Sequence, residues 1–141
     1  MRSTSADQEL ASRLRHAVAR GARRLRQESG NDLSPSLNAA LATIELHGPL
    51  TPSELAVRER VQRPTVTRVI YRLEDAGLVS RAADPADGRS ALVSITPAGR
   101  ALLAGARTRK DAFLSERLDS LSAEDRATLE RAAALLEGML E

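Results

Sequence analysis

Thr51-Pro52-Ser53-Glu54-Leu55-Ala56, followed after a short turn by Arg63-Pro64-Thr65-Val66-Thr67-Arg68-Val69-Ile70-Tyr71-Arg72-Leu73, is the stretch that decides the fold. The Thr51 hydroxyl can accept from the amide of Glu54 while the Glu54 carboxylate reaches back, a reciprocal capping box with Pro52 in the first turn. The helix this predicts is short, ending near Val57 to Glu59. A turn through Arg60 to Arg63 then leads to Pro64 at the start of another helix, in which Val66, Val69, Ile70 and Leu73 fall at the spacing of one buried face. Advancing about a hundred degrees per residue turns Pro64, Thr65, Arg68, Tyr71 and Arg72 away from that stripe, with Thr67 on its flank. Outward arginines and threonines suit the edges of bases in a major groove, although a charged face of this kind can also be merely solvated.

The residues that follow bear on that choice. Gly77 is placed to close the second helix as a left-handed C-cap, with Leu78 folding back on the last turn. Val79 to Ala83 and Ala91 to Ile95 are short and partly alternating, and Asp84-Pro85-Ala86-Asp87-Gly88-Arg89-Ser90 between them is turn-rich, so a two-stranded hairpin is expected. A short helix, a tight turn, an exposed basic helix and a basic hairpin make a winged helix-turn-helix. Arg89 sits beside Gly88 at the hairpin tip, where it can reach a narrow, electronegative minor groove. Asp87 can orient Arg89 through a carboxylate–guanidinium bond, although an ordinary surface turn also favours Asp-Gly.

Upstream, Leu10, Leu14, Ala17, Val18, Ala22 and Leu25 predict a long first helix that stops at Ser29-Gly30-Asn31. Ser34-Pro35 starts a second, with Leu37, Leu41 and Ile44 on one face, ended by Gly48-Pro49. Downstream, Thr96-Pro97 launches a helix through Leu102, Ala106, Phe113, Leu114 and Leu118. Ser122-Ala123-Glu124-Asp125 caps a last helix with Leu129, Ala132, Leu136, Met139 and Leu140 as its stripe. The expected fold class is mostly α with a small β-hairpin wing: a winged helix-turn-helix at 33–97, between an N-terminal helix at 1–32 and C-terminal helices at 98–141.

At 141 residues the chain suits one folding unit, completed by a partner. Aromatics are 1% of it, so the core must be aliphatic. There is no cysteine, which excludes disulfides and thiol-based sensing. The first thirty residues carry Arg2, Arg13, Arg15, Arg20, Arg23, Arg24 and Arg26 and no apolar run of signal or membrane length, so a soluble, cytoplasmic protein with no membrane partner is expected. The net charge is +2, but Arg58, Arg60, Arg63, Arg68 and Arg72 face only Glu59 in the middle, whereas the tail after Lys110 is acidic. The middle is therefore the region suited to an anion.

On these pieces, together with Leu73-Glu74-Asp75-Ala76-Gly77-Leu78-Val79 and Ile95-Thr96-Pro97-Ala98-Gly99-Arg100, the chain resembles the multiple-antibiotic-resistance regulator (MarR) family of bacterial transcription factors. The resemblance covers about Leu50 to Arg100. It implies a sequence-specific transcriptional regulator, usually a repressor, whose first and last two helices interleave in a homodimer on a pseudo-palindromic operator in double-stranded DNA. By position it implies that Thr65, Thr67, Arg68 and Arg72 meet bases and backbone, with Pro64 at the head of that helix. Ser53 would meet a phosphate, Arg89 the minor groove, and Asp87 would hold Arg89. Arg63 and Arg58 are candidates for phosphate contact or for simple solvation.

The family often releases DNA when a small anion binds between dimerisation helices and wing, but with Tyr71 on the reading helix and Phe113 the only other aromatic, ring-stacking walls for such an effector are not evident. His16 and Arg20, four apart, can grip a carboxylate or simply be a surface pair. His47 reads as a helix-end residue favoured by the dipole. Neither histidine has a neighbouring ligand pair, so no metal and no cofactor is expected. No phosphate-cradling glycine loop, nucleophile elbow or His-Glu-x-x-His is present, which argues against an enzyme. The remaining alternative is a winged protein that binds DNA without sequence choice, or binds another protein.

Overall fold

The computed structural model describes residues 4–141, so the expectation for Arg2 falls outside the described residues. The elements run α1 (Ser5–Glu28), α2 (Pro35–His47), α3 (Pro52–Glu59), α4 (Arg63–Asp75), β1 (Val79–Ala83), β2 (Ala91–Ile95), α5 (Pro97–Asp119) and α6 (Ala123–Met139). A mostly helical chain with a hairpin wing is therefore what forms.

Most helix starts are local chemistry. Ser34, Thr51, Thr96 and Ser122 each accept an amide three residues on, and proline stands in the first turn of α2, α3 and α5. This satisfies donors that the first turn cannot pair internally. At Thr51 only the hydroxyl half of the expected box forms, and the exposed Glu54 stays in solvent. The reciprocal box lies instead at Thr4, whose hydroxyl takes the Asp7 amide while the shorter Asp7 carboxylate returns to the Thr4 amide at 3.1 Å. Gly77, at φ 75°, ends the α4 region as expected: the Leu78 amide donates back to Leu73 at 2.9 Å, and Leu78 is buried.

The antiparallel hairpin pairs Val79 with Ile95 through Ala83 with Ala91. Leu50, just before α3, adds a one-residue third strand, exchanging hydrogen bonds of 3.0 and 2.7 Å with Val93. That bridge ties the entrance of α3 to the wing.

Leu41, Ile44, Leu55, Val66, Leu73 and Val93 are the largest fully buried side chains, from α2, α3, α4 and β2. Leu103 of α5 joins the same cluster, one residue from the expected Leu102, which is only partly buried. Each such side chain removed from water contributes roughly 1.5–3 kcal/mol. No ring takes part, and Tyr71 is 64% exposed. Arg109 of α5 anchors the first connection, donating from Nε to the Ser29 carbonyl at 2.6 Å. Gly30 bends under it at φ +71°, where an added Cβ would lie 2.4 Å from that nitrogen.

By contrast α1 and α6 bury no residue. Leu10, Val18, Leu129, Leu135 and Met139 remain exposed along them.

Candidate nucleic-acid interface

The inner stripe of α4 forms as its periodicity requires: Val66, Ile70 and Leu73 are buried and Val69 is partly buried. That anchoring turns Pro64, Thr67, Arg68, Tyr71 and Arg72 to solvent, with Thr65 half-buried at the edge. Thr67 donates its hydroxyl to the Arg63 carbonyl at 3.1 Å, which leaves its methyl and an oxygen lone pair for another molecule. Thr65, Arg68 and Arg72 line one recess, together with Ser34, Ser36 and Leu37 from the start of α2. Sequence reasoning missed Ser34 and Ser36 as neighbours of the reading face. Their signal, Ser-Pro-Ser at a helix start, speaks of capping and says nothing about which helix lies alongside.

Ser53 and Arg63 are ten residues apart and come together. Arg63, first in α4, donates from its guanidinium to the Ser53 hydroxyl in the first turn of α3. The turn between them is set by Arg60, the α3 C-cap, which adopts a left-handed conformation at φ 55°. The pair places a cation and a hydroxyl at the adjoining starts of two helices, a combination suited to a phosphate oxygen.

In the wing loop the carboxylates are spent on the backbone. Asp84 accepts the Ala86 amide at 2.9 Å, and Asp87 accepts the Arg89 amide at 3.0 Å and the Ser90 hydroxyl at 3.4 Å. The expected bond between Asp87 and the Arg89 guanidinium is therefore corrected: Asp87 holds Arg89 by its amide. An Asx turn closes over two residues at little entropic cost, and it leaves the long guanidinium arm free and exposed. Gly88 has open space where a Cβ would stand, so its small size is no requirement of the loop itself.

An unforeseen fork joins reading helix and wing. Arg81 of β1 donates from Nε and Nη2 to the two carboxylate oxygens of Glu74 on α4, each at 2.9 Å. These hydrogen bonds hold the Glu74 carboxyl below the usual carboxylate range against a small opposing push from burial, and they raise Arg81 in turn.

Around this surface Arg58, Arg60, Arg63, Arg68, Arg72 and Arg89 are all exposed. His16 and His47 are exposed on separate helices. Among the described residues no group of three or more His, Asp or Glu could hold a metal ion.

The profile of the MarR family matches residues 33–91, the segment from the start of α2 to the start of β2. An uncharacterized HTH-type transcriptional regulator of Mycobacterium bovis is 42% identical over 136 residues, 96% of this chain and 95% of its own. The multiple antibiotic resistance protein MarR of Salmonella typhimurium is 33% identical over 100 residues, 70% of this chain and 69% of its own. The chain belongs to the MarR family. A crystal structure of a protein from Pseudomonas aeruginosa PA01, described as a transcriptional regulator, superposes with a TM-score of 0.89 at 34% identity, covering 99% of each chain. This MarR-family protein is thus a DNA-binding transcriptional regulator and not an enzyme, with α3, α4 and the wing as its helix-turn-helix and hairpin. No described helix is long and apolar enough to cross a membrane.

Proposed function

We propose that the protein is a repressor that binds a pseudo-palindromic operator as a homodimer. The observation that carries this is the solvent-facing array of Thr67, Arg68 and Arg72, with half-buried Thr65 at its edge, on a helix whose opposite face is locked in the core. In this reading α4 lies in the major groove with Pro64 at its head, and Arg68 forks to a guanine edge while Thr65 and Thr67 meet bases or backbone. Arg72 and the Ser53–Arg63 pair meet phosphates. Arg89 enters the minor groove, and Asp87 fixes its backbone.

The homodimer reading is supported by α1 and α6, in which no residue is fully buried within one chain. A second copy would cover Leu10, Val18, Leu129 and Met139. A small-molecule effector that releases the operator completes the proposal.

The test is selection of bound fragments from genomic DNA, followed by gel-shift competition against random duplex. An operator preference of about a thousandfold or more, with two chains per site, is the expected result. Equal competition by random duplex would overturn operator specificity and leave an architectural DNA binder.

A further inference from the structure

Behind the reading helix, between the start of α2, the end of α3 and the first turns of α4, lies a cleft of about 300 Å³. Its walls include Leu55, Val66 and Val69, and its polar lining is Ser36, Thr65 and Glu59. That volume is at the lower end of what small-ligand sites occupy, and an apolar wall with a few polar groups is their usual make-up.

Glu59 is the one charged residue of this lining. It is half-buried, and its carboxylate accepts a hydrogen bond from the Thr43 hydroxyl. Among the described residues no arginine or lysine nitrogen lies within 4.0 Å of it, although Arg58 and Arg60 flank it in sequence. A half-shielded carboxylate with one neutral donor is electrostatically unfinished, and the pairing it lacks is a cation.

We propose that this cleft binds a small organic cation, an ammonium bearing a ring or short alkyl group. The apolar part lies on Leu55, Val66 and Val69, and the ammonium donates to Glu59. An anion is repelled by the same carboxylate, and a neutral apolar molecule gains nothing from it. The site has a direct route to function, because Thr65 also lines the recess that holds Arg68 and Arg72. A cation wedged against the first turn of α4 displaces Thr65 from its place on the reading face and lowers operator affinity. By linkage, operator lowers cation affinity by the same factor. This regulatory half rests on the operator reading above; the binding half does not.

The experiment is calorimetry on the free protein with benzylammonium, benzyl alcohol and benzoate at matched ionic strength. Benzylammonium is expected to bind about tenfold more tightly than the alcohol, the worth of one charge-assisted hydrogen bond, and benzoate not at all. Glu59→Gln, which can keep the Thr43 bond, should remove that advantage with thermal stability unchanged. Ala39→Leu, at an exposed α2 position lining the cleft, should abolish binding by filling it. Equal binding of all three probes, or an undiminished benzylammonium affinity in Glu59→Gln, overturns the site. On a selected operator fragment, saturating benzylammonium should weaken the parent protein and leave Glu59→Gln unaffected; no change in the parent overturns the coupling alone. Should no preferred fragment exist, the operator reading fails while calorimetry still decides the site.

Discussion

Between α2 and β2 the chain buries Leu41, Ile44, Leu55, Val66, Leu73 and Val93 completely, whereas 24 residues of α1 and 17 of α6 bury nothing. Both regions carry alanine, leucine and arginine, but the central one also holds all three isoleucines and six of the seven valines. The number of neighbours a face can reach separates them as well. Three short helices and a hairpin can enclose a small core from several sides, whereas α1 packs along α5 and keeps its other sides open. The winged part is thus held by contacts within one chain, and the terminal helices present apolar stripes that only another surface can cover. In the homodimer proposed above, this division would fix each reading surface within its own chain and leave the spacing of the two to assembly.

The largest expected effect breaks the assembly side of that contrast. Leu129→Glu places a charge in the exposed stripe of α6 and should leave monomers in sedimentation equilibrium. Operator affinity should fall about a hundredfold or more as the second reader is no longer tethered. A dimer with parental affinity would show that α6 lies outside the interface. Leu73→Ala addresses the other side: a cavity in the closed core should lower unfolding stability by about 2 to 5 kcal/mol in denaturant titrations. Its midpoint shift should be the same at low and high protein concentration, unlike that of Leu129→Glu.

Smaller effects sharpen the contrast within the reading surface. Arg68→Ala should cost about 1 to 3 kcal/mol in operator binding and relax preference at one position per half-site. A selected consensus equal to the parent's would reduce Arg68 to a phosphate contact. Arg89→Ala should weaken binding to all sequences and flatten the salt dependence by about one unit of slope, and an unchanged slope would leave the wing idle.

The smallest effect concerns the fork between α4 and β1. Glu74 is held below its ordinary range, so the fork's contribution is complete above the unfolded-state value and is lost as pH falls through the folded one. Acidification below the ordinary carboxylate range should loosen hydrogen-exchange protection of β1 before that of α4. The Glu74→Gln variant should show the loosened wing at neutral pH already. Identical exchange in parent and variant would make the fork ornamental.

The helix starts at Ser34, Thr51 and Thr96 and the stop at Gly77 were legible because each rests on residues within a few positions of one another, and the wing strands because a turn-rich loop joins them, although their pairs lie up to 16 positions apart. The outward set on α4 was legible for the same reason, since a helix with one apolar stripe has one solvent face. Less legible was how the wing carboxylates are used: guanidinium and amide are both in reach of Asp87, and the amide is closer along the chain. The capping box at Thr4 follows the same rule and was overlooked because Asp7 replaces the more familiar Glu.

By itself the amino-acid order determined which segments coil, where they stop and which faces they turn to water, because caps, turns and periodicity act over one or two helical turns. Only the tertiary structure decided that Leu50 would pair with Val93, Arg109 with the carbonyl of Ser29, Arg81 with Glu74 and Thr43 with Glu59. Those partners lie 7 to 80 positions apart. Many residues of the right polarity compete for each such contact, and it is core packing, summed over the whole domain, that brings one of them within reach.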